Sequence, residues 1–148
     1  MENKNEKLII FTDGGARGNP GPAAIGIVFK NQKGEVLKQY GERIGNTTNN
    51  VAEYEAIIFA LKKAKQIFGK EKTKNSDVEI YVDSELIARQ LGGQYKIEEE
   101  HLQALFMKVW NLKFDFGSVS FFPVPREKNK EADRMVNIAL DKEQKSLL

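Results

Sequence analysis

The feature that most constrains this chain is an acid placed directly after a short apolar run. Residues 8–11 are typical of a buried strand, and Asp13 follows them at the entry to a glycine- and proline-rich turn over residues 14–22. A carboxylate beside a core strand is costly to bury unless a cation meets it. The glycines let backbone N–H groups approach a phosphate closely. A divalent cation would join the acid to such an anion, although this stretch taken alone is better explained by Asp13 capping the turn.

The composition limits the kinds of site that the chain can build. It has no cysteine and a single histidine, His101. Disulfides, thiolate metal sites and zinc sites built on several histidines are therefore disfavoured, and we expect a reducing, cytoplasmic location. A metal bound here would need oxygen ligands, which favours Mg²⁺ or Mn²⁺.

Length and polarity are those of an ordinary globular domain. The 148 residues are 41% hydrophobic and 30% charged, and we expect one domain over residues 1–148 with its core at about 7–142. The first residues are too polar for a secretory signal, and no apolar run is long enough to span a bilayer. The formal net charge of +2 neither requires nor excludes a nucleic-acid partner. We expect a monomer without a membrane partner.

Apolar periodicity predicts five strands and four helices. The strands are expected at residues 8–11, 23–30, 36–44, 78–83 and 119–124, and the helices at about 50–68, 84–91, 98–111 and 129–142. Asn50 and Glu53 have the spacing of a capping box, Gly69 ends the first helix, and Asn129 is expected to cap the last one. Residues 70–76 are expected to form a polar loop.

The predicted order, β-β-β-α-β-α-α-β-α, indicates an α/β fold with a five-stranded mixed sheet and helices on both faces. Short links make the first three strands an antiparallel meander. A right-handed crossover makes residues 8–11 and 78–82 parallel neighbours. Asp13 and Asp83 then lie at one edge, where the carboxyl ends of strands carry the sites of open α/β sheets.

Two further acids are predicted to join this pair. Glu53 lies in the first turn of its helix on the sheet-facing side, and Asp133 lies early in the last helix. For each acid alone, a helix dipole or a cap is a sufficient explanation. Together they indicate a metal site, because clustered carboxylates repel one another without a cation. Carboxylates holding two metals ~3.5–4 Å apart are a standard arrangement for phosphodiester cleavage.

Four stretches of the chain resemble the type 1 ribonuclease H family. They are FTDGGARGNPG (11–21), TTNNVAEY (47–54), YVDSE (81–85) and VPREKNKEADR (124–134). The resemblance runs from about residue 7 to about residue 142 and implies a ribonuclease H-like fold. It also implies endonucleolytic hydrolysis of the RNA strand of an RNA–DNA hybrid, by a two-metal-ion mechanism that leaves 5′-phosphate and 3′-hydroxyl ends.

The resemblance assigns the four acids as catalytic and metal-binding residues. Asp13 would bridge two Mg²⁺ ions as the central acid. Glu53 and Asp83 would complete one side, and Asp133 would hold the ion that activates water.

Four other residues match family positions that contact the hybrid: Asn19, Thr48, Asn49 and Asn50. Thr48 would hold a DNA phosphate. An asparagine can both donate to and accept from a 2′-hydroxyl, the group that distinguishes RNA from DNA. Turn chemistry explains Asn19 equally well, and helix capping explains Asn50.

The chain departs from the family in two places. Residues 126–128 contain no histidine where many members carry one, so the proton-transfer or product-release role of that histidine has no matching residue in this loop. Some members carry a basic, tryptophan-containing protrusion between the middle helices, whereas residues 92–97 are short and contain one lysine. We therefore expect either a lower affinity or a broader substrate range that includes double-stranded RNA. Trp110 is expected in the core, and His101 on the surface.

Two other functions fit the sequence less well. One is a module that binds hybrid or double-stranded RNA without cutting, and the four retained acids disfavour it. The other is a different two-metal nuclease on the same fold, such as a DNA nuclease. Asn19 and the Asn49–Asn50 pair disfavour that one.

Overall fold

Five strands form one mixed sheet in the computed structural model, which describes residues 5–146. The strands are β1 (Glu6–Ala16), β2 (Gly21–Lys30), β3 (Val36–Thr47), β4 (Ser76–Val82) and β5 (Ser118–Pro123). The helices are α1 (Asn49–Phe68), α2 (Lys70–Lys74), α3 (Glu85–Leu91), α4 (Glu100–Lys113) and α5 (Lys130–Ser146), with a 3₁₀ turn at Arg126–Lys128. The predicted order of the main elements is confirmed, with α2 and the 3₁₀ turn as short additions.

The order of strands across the sheet is β3-β2-β1-β4-β5. The pairs β1–β2 and β2–β3 are antiparallel, and β1–β4 and β4–β5 are parallel. The predicted meander and the predicted parallel pair are therefore both correct. This arrangement places β1 and β4 side by side in the interior of the sheet.

Helices cover the two faces of the sheet unequally. The larger core cluster contains side chains of α1, α3 and α4 with the strands, including Tyr54, Ile57 and Leu61 at helical spacing on α1. A smaller cluster joins Ala24 of β2 to residues of α5. Adjacent side chains of a strand point to opposite faces, and a Cβ on Gly14 would meet α1 whereas a Cβ on Gly15 would meet α5. The prediction of helices on both faces is confirmed.

Three local expectations were wrong at helix ends. Thr48, not Asn50, caps α1, because its Oγ1 accepts from the Val51 N–H at 3.3 Å. Residues 70–74 form a helix rather than a loop, since Thr73 is buried and its hydroxyl donates to backbone carbonyls of the same turn. Asn129 precedes α5 but gives its side-chain amide to the Thr12 carbonyl instead of capping the helix.

The expectation that Trp110 lies in the core was also wrong. Its exposed fraction is 45%; its ring stacks on Phe106 and meets Phe114 edge to face. Helical spacing identified the amphipathic helix, but Leu102, Leu105 and Val109 fill its buried side. His101 is exposed, as predicted. None of the helices within residues 5–146 has the length and hydropathy that crossing a bilayer requires.

Candidate active site

Asp13 lies inside β1 rather than at its end, which corrects the sequence-based expectation. β1 continues through Gly14 and Gly15 to Ala16 because it stays paired with β2, and Asp13 is opposite Gly26. On its other side, β1 loses β4 after the Phe11–Tyr81 pair. Continuing that parallel register brings Asp13 level with Asp83, the first residue after β4. The site therefore forms where two central strands part.

Two glycines allow helices to approach Asp13 from both faces of the sheet. A Cβ on Gly14 would lie 2.2 Å from the carbonyl of Ala52 in α1. A Cβ on Gly26, the residue opposite Asp13, would lie 2.1 Å from the carbonyl oxygen of Ala132 in α5. Only glycine leaves room for such contacts. Glu53 and Asp133 are the next residues along these helices, so the two glycines bring both acids to the level of Asp13.

The four predicted acids meet at this point. Asp13, Glu53 and Asp83 each offer a carboxylate oxygen, and these oxygens lie within 4.8 Å of one another. Asp133 is not one of these three, but its carboxyl lies near enough to Asp13 for its charge to raise the pKa of Asp13. The acids come from β1, the second turn of α1 (one turn later than predicted), the residue after β4 and the first turn of α5. Oxygen ligands gathered from several elements are the donor set that Mg²⁺ and Mn²⁺ favour.

Burial divides the acids into an inner and an outer pair. Asp13 and Glu53, the inner pair, are 7% and 6% exposed, whereas Asp83 and Asp133, the outer pair, are half-buried. Burial and the neighbouring charges of Asp83 and Asp133 raise the pKa of Asp13 to about 8. Burial, followed by the charges of Asp13 and Asp83, holds the pKa of Glu53 well above its usual range. Without a cation, Asp13 therefore retains its proton at neutral pH, and burial favours the neutral form of Glu53 as well.

The inner pair fits a divalent cation in a second respect. The Oε2 atom of Glu53 is buried and has no hydrogen-bond partner. None of the ion pairs formed within the described part of the chain includes Asp13 or Glu53. A buried carboxylate oxygen without a partner is uncommon and requires an explanation. A hard cation shared with Asp13 and Asp83 provides one.

The asparagines predicted to contact substrate form a small network beside the site. The Oδ1 atom of Asn19 accepts from the Asn49 N–H at 2.9 Å, and the Oδ1 atom of Asn49 accepts from the Ala16 N–H at 2.8 Å. The network ties the turn after β1 to the start of α1. Asn19 and Asn49 are exposed, and Thr48 and Asn50 are half-buried. Each oxygen already accepts one backbone N–H group, so the side-chain NH₂ groups and one lone pair of each oxygen are left to meet a ligand.

Two features of this site could not be predicted from sequence patterns. Gly26 lies within a predicted strand, and nothing in its spacing distinguishes it as a contact point for α5. The hydrogen bond from Asn129 to Thr12 spans 117 residues, so local patterns could not reveal it. Asn129 was expected to cap a helix because asparagine is common before helices.

Sheet order and acidic cluster together define a ribonuclease H-like protein. The Reverse transcriptase-like family matches residues 11–139. The structure of LC11-RNase H1, isolated from compost, superposes with a TM-score of 0.89 at 49% identity, covering 94% of this chain and 99% of that one. A second structure of LC11-RNase H1, in complex with an RNA/DNA hybrid, gives a TM-score of 0.88 at 48% identity over 93% of this chain and 99% of that one.

Curated proteins give the same assignment. Ribonuclease HI of Halobacterium salinarum is 39% identical over 131 residues, which are 88% of this chain and 63% of that protein. A bifunctional protein of Mycobacterium tuberculosis is 36% identical over 136 residues, which are 91% of this chain but only 36% of that protein. The chain thus spans about a third of the length of the mycobacterial relative. It belongs to the type 1 ribonuclease H family.

Proposed function

We propose that this protein is an endonuclease that hydrolyses the RNA strand of RNA–DNA hybrids. The observation that carries the proposal is the convergence of four acids at the place where β1 and β4 separate: Asp13, Glu53, Asp83 and Asp133. The hybrid complex of LC11-RNase H1, a protein 48% identical to this chain, supports the choice of substrate.

The four acids would hold two Mg²⁺ ions, with Mn²⁺ as a substitute. Bound ions of this kind supply a nucleophile from water at neutral pH and stabilise the departing oxygen of a phosphodiester. Asp13, whose carboxylate lies within 4.8 Å of those of Glu53 and Asp83 and near that of Asp133, would serve as the shared ligand. Glu53 and Asp83 would complete one side and Asp133 the other. We propose that the products carry 5′-phosphate and 3′-hydroxyl ends.

The asparagine network would recognise the RNA strand through hydrogen bonds to its 2′-hydroxyl groups. Asn19 and Asn49 would donate from their NH₂ groups to a 2′-hydroxyl, because their oxygens are engaged by backbone N–H groups. Asn50 would contact the same strand, and Thr48 would contact a DNA phosphate. The network also fixes the turn after β1 against α1, so substrate contacts and the acid Glu53 share one rigid support.

The test offers one labelled sequence as an RNA–DNA hybrid, as double-stranded RNA and as all-DNA duplex, each with Mg²⁺, with Mn²⁺ and with chelator. We expect metal-dependent cutting of the RNA strand of the hybrid, with end-labelling to identify the new termini. Equal cutting of the all-DNA duplex would contradict recognition of the 2′-hydroxyl. Binding of the hybrid without product under either metal would instead show a non-catalytic binding module.

A further inference from the structure

Asn129 is buried where two of the acid-bearing elements meet. Its exposed fraction is 1%, and it lies directly before α5, four residues ahead of Asp133. Its Nδ2 atom donates to the carbonyl oxygen of Thr12 at 2.9 Å, and Thr12 immediately precedes Asp13. The backbone carbonyl oxygen of Asn129 accepts from the Asp133 N–H at 3.1 Å. One residue therefore links the backbone beside Asp13 to the backbone of Asp133.

The Thr12 carbonyl lies where β1 has lost its parallel neighbour. Pairing with β4 ends at Phe11 and Tyr81, while β1 itself continues to Ala16. A buried backbone carbonyl beyond the end of a ladder needs a donor from elsewhere. Asn129 supplies that donor, and it does so from the segment that leads into α5.

Stability alone does not account for Asn129. Its Oδ1 atom is buried without a hydrogen-bond partner, and so is the Thr12 hydroxyl oxygen. A buried amide that uses only part of its hydrogen-bonding capacity is less favourable than a fully satisfied one. A residue just before a helix ordinarily turns its side-chain oxygen towards the first N–H groups of that helix. Asn129 does not form this cap, and its side chain is hydrogen-bonded to the Thr12 carbonyl of β1 instead.

We propose that Asn129 is a positioning residue that holds Asp133 against Asp13 and so sets the separation of the two acids for the cations. The inference rests on the proposed function, because it concerns the same ions. Asn129 itself is too deeply buried to touch a hybrid.

The first test measures Mg²⁺ binding to the substrate-free full chain by calorimetry. Asn129→Ala is expected to weaken binding by roughly 10- to 100-fold, the range seen when residues that orient metal ligands are removed. Ser76→Ala is the matched control, since Ser76 is also buried and also donates to a backbone carbonyl, but at the opposite end of β4 from Asp83. Its affinity should equal that of the wild type. Equal affinities in all three proteins would overturn the inference.

Kinetics separate positioning from a purely structural role. At limiting Mg²⁺, kcat of Asn129→Ala for a hybrid should fall and should recover at least in part as Mg²⁺ is raised. The KM for the hybrid should stay at the wild-type value. A raised KM with unchanged kcat would overturn the inference, and so would a loss of kcat that does not respond to Mg²⁺.

Folding of the variants is checked by circular dichroism, with Asn129→Ser as a second substitution. If neither variant folds, NMR of the wild type decides. The side-chain amide of Asn129 should shift during a Mg²⁺ titration with the same midpoint as the Asp133 N–H, and an unmoved resonance would overturn the inference. A wild type that neither binds Mg²⁺ nor cuts a hybrid contradicts the proposed function itself. A wild type that does both, alongside a variant that matches it, contradicts only the role of Asn129.

Discussion

The inner and outer acids of the cluster have the same chemistry but different surroundings. Asp13 and Glu53 are nearly fully buried. Burial raises the pKa of Asp13 to about 8 and the pKa of Glu53 well above its usual range. Asp83 and Asp133 border solvent. The inner pair is therefore unfavourable as two carboxylates without a cation, whereas the outer pair is in contact with water. The difference indicates that a bound cation stabilises the inner pair more than the outer pair.

The largest expected effect is that of Asp13→Asn. Removing the shared ligand should lower hybrid cleavage by more than the ~10- to 100-fold that follows loss of a residue that only orients a metal ligand. The fold should persist, because an amide fits the same space without the charge. Asp77→Asn, at the far end of β4, is the control and should cut at the wild-type rate. Activity near that of the wild type in Asp13→Asn would refute the assignment of the metal ligands.

Asp133→Asn should have a smaller effect, since Asp133 belongs to the outer pair. We expect kcat to fall by less than in Asp13→Asn but by at least the roughly 10-fold that follows loss of a residue that only orients a metal ligand, with partial recovery at high Mg²⁺. Asp141→Asn makes the same change two turns further along α5, where the acid pairs with Arg17. If Asp133→Asn were as damaging as Asp13→Asn, the division into inner and outer acids would be wrong.

Gly26→Ala tests whether close packing of α5 sets the site. The added Cβ would collide with the Ala132 carbonyl and push α5 away from Asp13. Overpacking of this kind costs about 1–3 kcal/mol of unfolding free energy. Cleavage should fall along with stability. Gly15→Ala is the control, because its Cβ would make an ordinary 3.9 Å contact with Val136. Chemical denaturation of both variants checks the prediction, and equal losses would contradict it.

The smallest effect is a dependence of thermal stability on pH and metal. The pKa of Asp13 is about 8 in the folded chain against 3.8 as the ordinary value, so the folded state binds more protons between these limits. Its contribution to stability is complete below about pH 4 and is lost as pH rises through 8. In chelator, the melting temperature should therefore drop by a few degrees more in wild type than in Asp13→Asn between pH 5 and pH 9. Mg²⁺ at pH 8 should restore the wild type only.

Sequence patterns predicted much of the fold because hydrophobic periodicity depends on residues that are close together in the chain. Helical spacing located α1, and the short apolar runs located β4 and β5. The parallel pairing of β1 with β4 followed from the handedness of the crossover. The four acids could be selected because each lies near a junction between elements. A family resemblance strengthened that selection.

What the sequence did not predict depends on packing between distant segments. β1 extends past Asp13 because it stays paired with β2. The glycines after Asp13 indicated a turn at this point, so the sequence did not predict the extension. The approach of α5 to Gly26 and the bond from Asn129 to Thr12 arise only when the two faces of the sheet are assembled. Trp110 was misplaced because helical spacing identifies an apolar stripe but not which residues at its margin are covered.

The most direct test of the central claim is a crystal structure of the chain grown with Mn²⁺, with data collected for anomalous scattering. The account predicts strong anomalous peaks between Asp13, Glu53, Asp83 and Asp133, with oxygen atoms of the inner pair in direct contact with an ion. Anomalous density elsewhere only, or inner acids bound to lysine or arginine side chains, would contradict it.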